Sequence, residues 1–482
     1  MSLMLKLILY GGSSLRGASR VFEVVVSYFN LPYKVPSWYT CRLWLLRLGY
    51  YKLNRLKEKG SDWVLFIDHT VQLDETKCLL MLGMRLRDLP PKGQPIQHKD
   101  LEPIELFPVT KSNGEVVYEQ LESAVKKIGI PRAIISDHGS DLKTGVERFI
   151  QTHPETISLY DIKHKTAVIL KRELNKDENW EAFTKKASQT QNSIRQTNMY
   201  AFSPPTQKSK ARYMNLVPLV EWGVRSLFYL QADDLKFPSG VTREKLQDKL
   251  GWVIDFKDSL ARWDTLMMSI TTVESFVRDN GLEHGSLLAL KREVSSLPTN
   301  EQTRRIQSEL LSFVEQESMK AMPNERLPGS TESLESTFGK LKTIQGQQNK
   351  SGFTGFILSV AAIVAPNTIS VIYNAMKTTK TSDPIKWSNE NLGSSTQSKR
   401  KALSDQFKKQ NIKSEQAPTT SEQNKTPTSQ KKTSSDTQQE ITKVTKTKKI
   451  MRYFSNEYFV VKYQRFLRKY KEVKPDQFRL TG

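Results

Sequence analysis

The sequence predicts a protein of the α/β class: a mixed sheet carrying a long helical insertion, preceded by a helical segment and followed by a basic tail expected to be mostly disordered. Three observations lead there. Between residues 62 and 175, short apolar runs and helix-periodic stretches follow in the order strand, strand, strand, helix, strand, helix, strand, helix, which is a mixed-sheet order. From Asn175 to about Met322 helical periodicity dominates. Beyond Met376, Lys, Ser, Thr and Gln displace large apolar residues, a composition that buries too little surface to offset the entropy of ordering. The implied organisation is a helical segment at 1–60, a sheet domain split into 61–175 and 323–376, the insertion at 176–322 between them, and the tail at 377–482.

Taken in order, a first helix is predicted over Ser14–Asn30, where Leu15, Ala18, Val21, Phe22, Val25 and Phe29 share a face and Pro32 stops it. Ser37 caps a second, carrying Trp38, Leu43, Leu45, Leu46 and Leu48 and ending at Gly49. Arg42, Arg47 and Lys52 lie on it or just beyond, so the pair reads equally as a helix-turn-helix for duplex DNA or as an ordinary helical hairpin. Strands follow at Trp63–Asp68, Cys78–Met84 and Pro103–Val109, with a loop at Pro90–Lys99. A helix at Val116–Ile128, a strand at Ala133–Ser136, a helix at Asp141–Gln151, a strand at Thr156–Tyr160 and a helix at His164–Leu174 complete the alternation. The clearest helices of the insertion are Leu216–Leu230, Arg243–Phe256, Asp264–Asp279 and Glu301–Met319, separated by Pro- and Gly-marked turns. Helix signal returns at Thr331–Ile344 and Phe353–Ile363, and interleaved aromatic and basic residues between Tyr453 and Tyr470 suggest a terminal basic helix.

Charge narrows the partner. The 482 residues carry a net +22, and the excess lies at the two ends: residues 1–60 hold 10 basic and 2 acidic side chains, residues 61–376 hold 39 of each, and residues 377–482 hold 24 and 10. Basic blocks flanking a neutral body suit a phosphate backbone, which binds by counterion release. No segment pairs an apolar helix face with a basic one clearly enough to favour a membrane surface, and the longest apolar run, Phe353–Ala365, falls short of the roughly 20 residues that span a bilayer. Cys41 and Cys78 alone cannot build a disulfide framework, so a soluble protein of a reducing, cytoplasmic compartment is expected. There is no Walker A sequence, no His-Glu-x-x-His, no Cys-x-x-Cys and no Gly-x-Ser-x-Gly, so ATP use, zinc chemistry and serine hydrolysis lose their usual signals.

The chemistry points to acids. Asp68 closes the first strand in WVLFIDHT, and Asp137 closes the fourth in AIISDHGSD. A carboxylate at the end of a buried strand is poorly solvated unless something cationic meets it, and two in equivalent positions suggest a shared cation. Magnesium takes oxygen ligands from one or two carboxylates plus phosphate and water, and two such ions about 4 Å apart suit phosphodiester chemistry. A third acid is available in STESLESTFGKLK from Glu332 or Glu335, three apart on one helix face. Asp141 and Asp161 read as capping or supporting acids. His69 and His138 adjoin the key acids, but strand alternation turns neighbours to opposite faces, which argues against either as a ligand. The basic loop Lys208, Lys210 and Arg212 suits either DNA backbone or solvent.

This constellation resembles the DDE transposases of bacterial insertion sequences, whose catalytic domain is RNase H-like. The resemblance spans roughly residues 1–400, through WVLFIDHT, AIISDHGSDL, YDIKHK and LESTFGKLK. It implies Asp68, Asp137 and Glu335 as catalytic, metal-holding residues. Glu335 is preferred over Glu332 because Lys342 stands seven residues after it, as in many members, whereas the Tyr and Arg of the same signature are replaced by Pro328 and Thr331. The resemblance further implies two Mg²⁺ ions, with Mn²⁺ substituting, and double-stranded DNA (element ends and target) as partner. It implies contacts to that DNA from Arg42, Arg47, Lys52, Lys340 and Lys342, a homodimer or higher assembly on it, and a nucleoid-associated place in a bacterial cytoplasm. The competing expectations are a DNA-binding protein without catalysis and an RNase H-like nuclease that cuts without joining.

Overall fold

The computed structural model describes residues 1–73, 76–207, 212–232, 237–346, 355–392 and 400–407. All of them belong to one compact unit, Met1–Asn411. The terminal basic helix expected within 453–470 lies outside the described residues, as do Lys208 and Lys210.

Three helices precede the sheet: α1 (Ser2–Leu9), α2 (Leu15–Tyr28) and α3 (Trp38–Asn54). The Ser14 and Ser37 side chains cap α2 and α3 by accepting the Gly17 and Thr40 backbone N–H groups. The α3 helix runs past Gly49, where the sequence ended it. Gly49 is a contact residue, not a cap: a Cβ there would sit 2.0 Å from the Leu358 carbonyl oxygen, so only glycine lets the two backbones meet.

Strands β1 (Trp63–Leu73), β2 (Thr76–Arg85), β3 (Glu102–Val109), β4 (Ala133–Ser136) and β5 (Ile157–Tyr160) form one sheet in the order β3-β2-β1-β4-β5. The first three pair antiparallel, and β4 and β5 run parallel to β1, giving the mixed sheet that the element order predicts. Side chains alternate across it. Trp63, Leu65, Ile67 and Ile134 meet α4 (Gly114–Ile128) and α5 (Ser140–Thr152) through Val117, Leu121, Leu142 and Phe149. Val64, Phe66, Ala133, Ile135 and Leu159 face the other way, into a larger core shared with α1, α3 and the later helices. Helix α4 ends at Gly129, whose φ of 85° and close approach to the Gly60 carbonyl both exclude a side chain.

After β5, α6 (Ile162–Leu174) leads into six further helices: α7 (Glu178–Ile194), α8 (Val217–Gln231), α9 (Arg243–Leu250), α10 (Lys257–Asn280), α11 (Ser286–Ser295) and α12 (Glu301–Ser318). The helical insertion is therefore present, with α7 and α11 added to the four helices its sequence announced. Trp180, Phe183, Ala187, Thr190 and Ile194 form the buried stripe of α7, two of them too small or polar to stand out in the sequence. The chain returns through α13 (Glu332–Gly346), α14 (Ser359–Ile363), α15 (Ile369–Thr378) and α16 (Ser382–Leu392).

Disorder expected from residue 377 onward is overturned for Ser382–Leu392. Pro384 is buried, Trp387 packs on the main core, and Ser388 abuts Gly355, where a Cβ would lie 2.1 Å from its Oγ. One proline and one tryptophan dock a stretch whose average composition is that of an unfolded chain. Among the described residues no helix is long and apolar enough to cross a membrane.

Candidate metal centre

Register places the acids. Phe66 of β1 pairs with Ile135 of β4, and Ile135 with Leu159 of β5, all three on the sheet face of the larger core. Two residues further along each chain stand Asp68, Asp137 and Asp161. The three acids therefore form a row across neighbouring parallel strands, which lie about 4.8 Å apart. Asp137 and Asp161 directly follow β4 and β5, whereas Asp68, expected to close the first strand, lies within β1, which runs on to Leu73 in its pairing with β2.

Each acid in the row is held differently. Asp68 Oδ1 accepts the His69 backbone N–H at 2.6 Å. Burial, reinforced by Asp137 and more weakly by Glu335, pushes the Asp68 carboxyl up to about 7, against the opposing pull of His164. Asp137 Oδ1 accepts the Gly139 N–H at 2.8 Å, while Oδ2 lies 4.0 Å from His164 Nε2. Asp161 is fully buried. Its Oδ1 accepts the Thr331 N–H at 2.8 Å, and its Oδ2 accepts the His164 N–H at 3.1 Å and meets His164 Nδ1 at 2.7 Å. Asp161 thus caps α6 and ties the start of α13 to the end of β5.

That tie delivers the fourth acid. Thr331 O accepts the Leu334 and Glu335 N–H groups, opening α13 there and turning Glu335 toward the row. Ligand atoms of Asp161, His164 and Glu335 lie within 4.8 Å of one another. Burial first, then Asp161, raises the Glu335 carboxyl to about 7, and its Oε1 is buried with no hydrogen-bond partner. Glu332 points elsewhere, toward Arg278 at 3.7 Å and Lys163 at 4.0 Å, and lines a cavity of about 410 Å³. Burial works against the His164 imidazolium, yet Asp161, Asp137 and Glu335 together raise it to about 9.

Asp68, Asp137 and Glu335 gathered beside one imidazole, with the buried Glu335 Oε1 left unpartnered and Asp161 engaged by its hydrogen bonds, make a donor set that fits a divalent cation. His69 and His138 stay outside it. His69 lies on the opposite face, 3.8 Å from Asp141, whose own Oδ1 accepts the Leu142 N–H. His138, at φ 54°, stacks on Tyr160 with its Nε2 3.2 Å from Ser158 Oγ.

The residues assigned to DNA contact divide. Lys52 is fully buried and donates to the carbonyls of Ala362, Val364 and Ala365 at 3.5, 2.6 and 3.0 Å; burial lowers it to about 7. Arg47 donates to the carbonyls of Thr379, at 2.7 Å, and Met376. Both are structural ties between α3 and the closing helices, not free surface cations, a correction the helical face alone does not reveal. Arg42 is half-buried. On α13, Lys340 stands over the Tyr10 ring at 5.6 Å, and Lys342 is exposed.

Sequence reasoning placed a helix from His164 but did not select His164 itself. Its signal was present in YDIKHK: a histidine three residues beyond a strand-ending acid, the spacing at which a capping carboxylate meets the first turn.

No family model matches the sequence, and no curated protein does. Among solved structures, the Drosophila P element transposase strand transfer complex is similar at a TM-score of 0.34 and 12% identity, covering 77% of this chain and 96% of that chain.

Proposed function

We propose that the chain is a DNA transposase of the DDE type from an insertion sequence, with an RNase H-like catalytic core. The observation that carries this reading is the row of Asp68 and Asp137 on adjacent parallel strands, met by Glu335 across the insertion. The sheet order β3-β2-β1-β4-β5 agrees with it. Asp68, Asp137 and Glu335 would hold two divalent metal ions, Mg²⁺ or Mn²⁺. When bound, such ions supply a water made nucleophilic near neutral pH and positive charge at the departing oxygen.

The rest is work for the chain's own groups. The carboxylates would fix the cations beside the scissile phosphate, and Asp161 keeps β5, α6 and α13 in one geometry. In hydrolysis, the water oxygen forms a bond to phosphorus as the bond from phosphorus to the 3′ oxygen breaks, and the water's proton ends on the freed 3′ hydroxyl. In joining, that hydroxyl oxygen bonds to a target phosphorus while the target's own 3′ oxygen leaves and takes the proton. Lys342, exposed on α13, is suited to a flanking phosphate, and the exposed Arg16 and Arg20 of α2 to DNA bound by the N-terminal helices.

A supercoiled plasmid carrying the element's ends, incubated with protein and Mg²⁺, tests the reading. Excision with joining supports it. Cleavage without joining points to a nuclease, and binding without cleavage to a DNA-binding protein that lacks catalysis.

A further inference from the structure

The acid row is joined by a nitrogen. We propose that His164 Nε2 is a direct ligand of the cation held by this row, and that the site therefore prefers Mn²⁺ to Mg²⁺. The inference rests on the reading of Asp68, Asp137 and Glu335 as cation-holding residues.

The geometry of Asp161 carries it. Both of its oxygens are engaged within the protein, Oδ1 by the Thr331 N–H and Oδ2 by the His164 backbone and ring. Asp161 is thereby removed as a ligand and becomes the orienting partner of an imidazole. A carboxylate on one ring nitrogen, fixing the tautomer so that the other nitrogen faces the ion, is the usual surrounding of a metal-bound histidine. Here Nδ1 is the nitrogen so fixed, at 2.7 Å, and Nε2 is left facing Asp137 Oδ2 at 4.0 Å. Two ligands each about 2.1 Å from one ion lie at most about 4.2 Å apart, so the separation admits a shared ion. Glu335 offers a ligand atom within 4.8 Å of those of His164 and Asp161, and its Oε1 is buried without a hydrogen-bond partner.

Ion choice follows from the donor. Mg²⁺ favours oxygen ligands and near-ideal octahedral geometry, and gives up water reluctantly. Mn²⁺ shares the carboxylate preference of Mg²⁺ but is a first-row transition ion, the class to which imidazole binds, so one nitrogen in a carboxylate set shifts the balance from Mg²⁺ toward Mn²⁺.

The test is pulsed electron paramagnetic resonance of the full chain loaded with Mn²⁺, alongside titrations of Mn²⁺ and Mg²⁺. Wild-type protein should show one directly bound ¹⁴N, converted to a ¹⁵N signature when the protein is grown with ¹⁵N-histidine. H164Q should lose the nitrogen signal and shrink the Mn²⁺-over-Mg²⁺ preference at least tenfold. D161N should keep binding the ion but about 10- to 100-fold more weakly. Mn²⁺ that binds, is lost on D137N, and shows no nitrogen coupling would overturn the role of His164 while leaving the acid row intact. Mn²⁺ binding that is absent, or that survives both D68N and D137N, would sink the acid-row reading itself. The isotope readout identifies a histidine nitrogen in wild-type protein, and if H164Q fails to fold, H164N, expected to lose the same signal, assigns it to His164.

Discussion

Lys52 and Asp68 are both ionisable side chains withdrawn from water, and the molecule treats them in opposite ways. Around Lys52, three carbonyls at the end of α14 accept from the ammonium, so the cation is matched. Around Asp68, burial and the carboxylates of Asp137 and Glu335 outweigh the one opposing imidazole of His164, so like charges are gathered rather than dispersed. Burying a charge costs several kcal/mol unless partners compensate it. A region that meets the cost internally is holding the fold together. A region that leaves it unmet is shaped for something that arrives later. The same contrast separates Arg47, anchored on two carbonyls, from Glu335, whose Oε1 has no partner.

Substitutions should divide along that line. Asp137→Asn is expected to reduce cleavage of end-bearing DNA at least a hundredfold, with a melting temperature equal to or above wild type in metal-free buffer, because a repulsive charge is removed. A lowered melting temperature would place Asp137 with the structural charges. Glu335→Gln should behave likewise, while Glu332→Gln should cost no more than a few-fold in rate; the opposite ranking in the same assay would move the third acid to Glu332.

Lys52→Met should do the reverse, leaving three carbonyls without their donor at a cost of about 3 kcal/mol in urea unfolding. Wild-type stability in that variant would mean Lys52 is not the tie described.

Stability against pH sharpens the comparison further. Asp68 and Glu335 have folded values near 7 against unfolded values near 4, so metal-free protein binds more protons when folded, and stability falls as pH rises from about 4 to 7. His164, raised to about 9, extends the loss from about 6.5 to 9. Lys52, lowered to about 7, acts oppositely: folded protein binds fewer protons between about 7 and 10.5, so its contribution grows there. Thermal scans from pH 5 to 7 should show the decline in wild type and a flatter line in a D68N/E335Q double variant, and a saturating divalent cation should stabilise most at the upper end. An equal decline in both proteins would deny the acids this role.

The smallest effect expected concerns residues 408–482, which carry 18 basic and 7 acidic side chains and lie outside the described residues. Removing them should weaken non-specific DNA binding several-fold and flatten its salt dependence, as measured between 50 and 200 mM salt.

Much of the sheet was legible from the chain because each strand carries a short apolar run, and β4 was placed to the residue, whereas β1 extends to Leu73, past the Trp63–Asp68 run that announced it. Asp68 and Asp137 were legible through the break in apolarity after each run, a break that ends β4 before Asp137 but does not end β1 at Asp68. The roles of Lys52 and Arg47 were not, because a cation on a predicted helix looks the same whether it faces solvent or carbonyls more than 300 residues away. The preference for Glu335 over Glu332 rested on Lys342 standing seven residues beyond it, since helical spacing puts both acids on one face. It took the Thr331 N–H bonded to Asp161 to set the rotation of α13. Helix α16 escaped notice because two docking side chains were averaged into a hydrophilic background.

Asp161 has a consequence for how such a chain can change. It clasps the backbone at the point where the polypeptide departs on its excursion through α7–α12 and again where it comes home at Thr331. With the start of α6 and the return at Thr331 stapled to a single side chain, α7–α12 can lengthen, shrink or be exchanged without displacing Glu335. A graft that trades the whole excursion for an unrelated module should keep its chemistry so long as the staple survives.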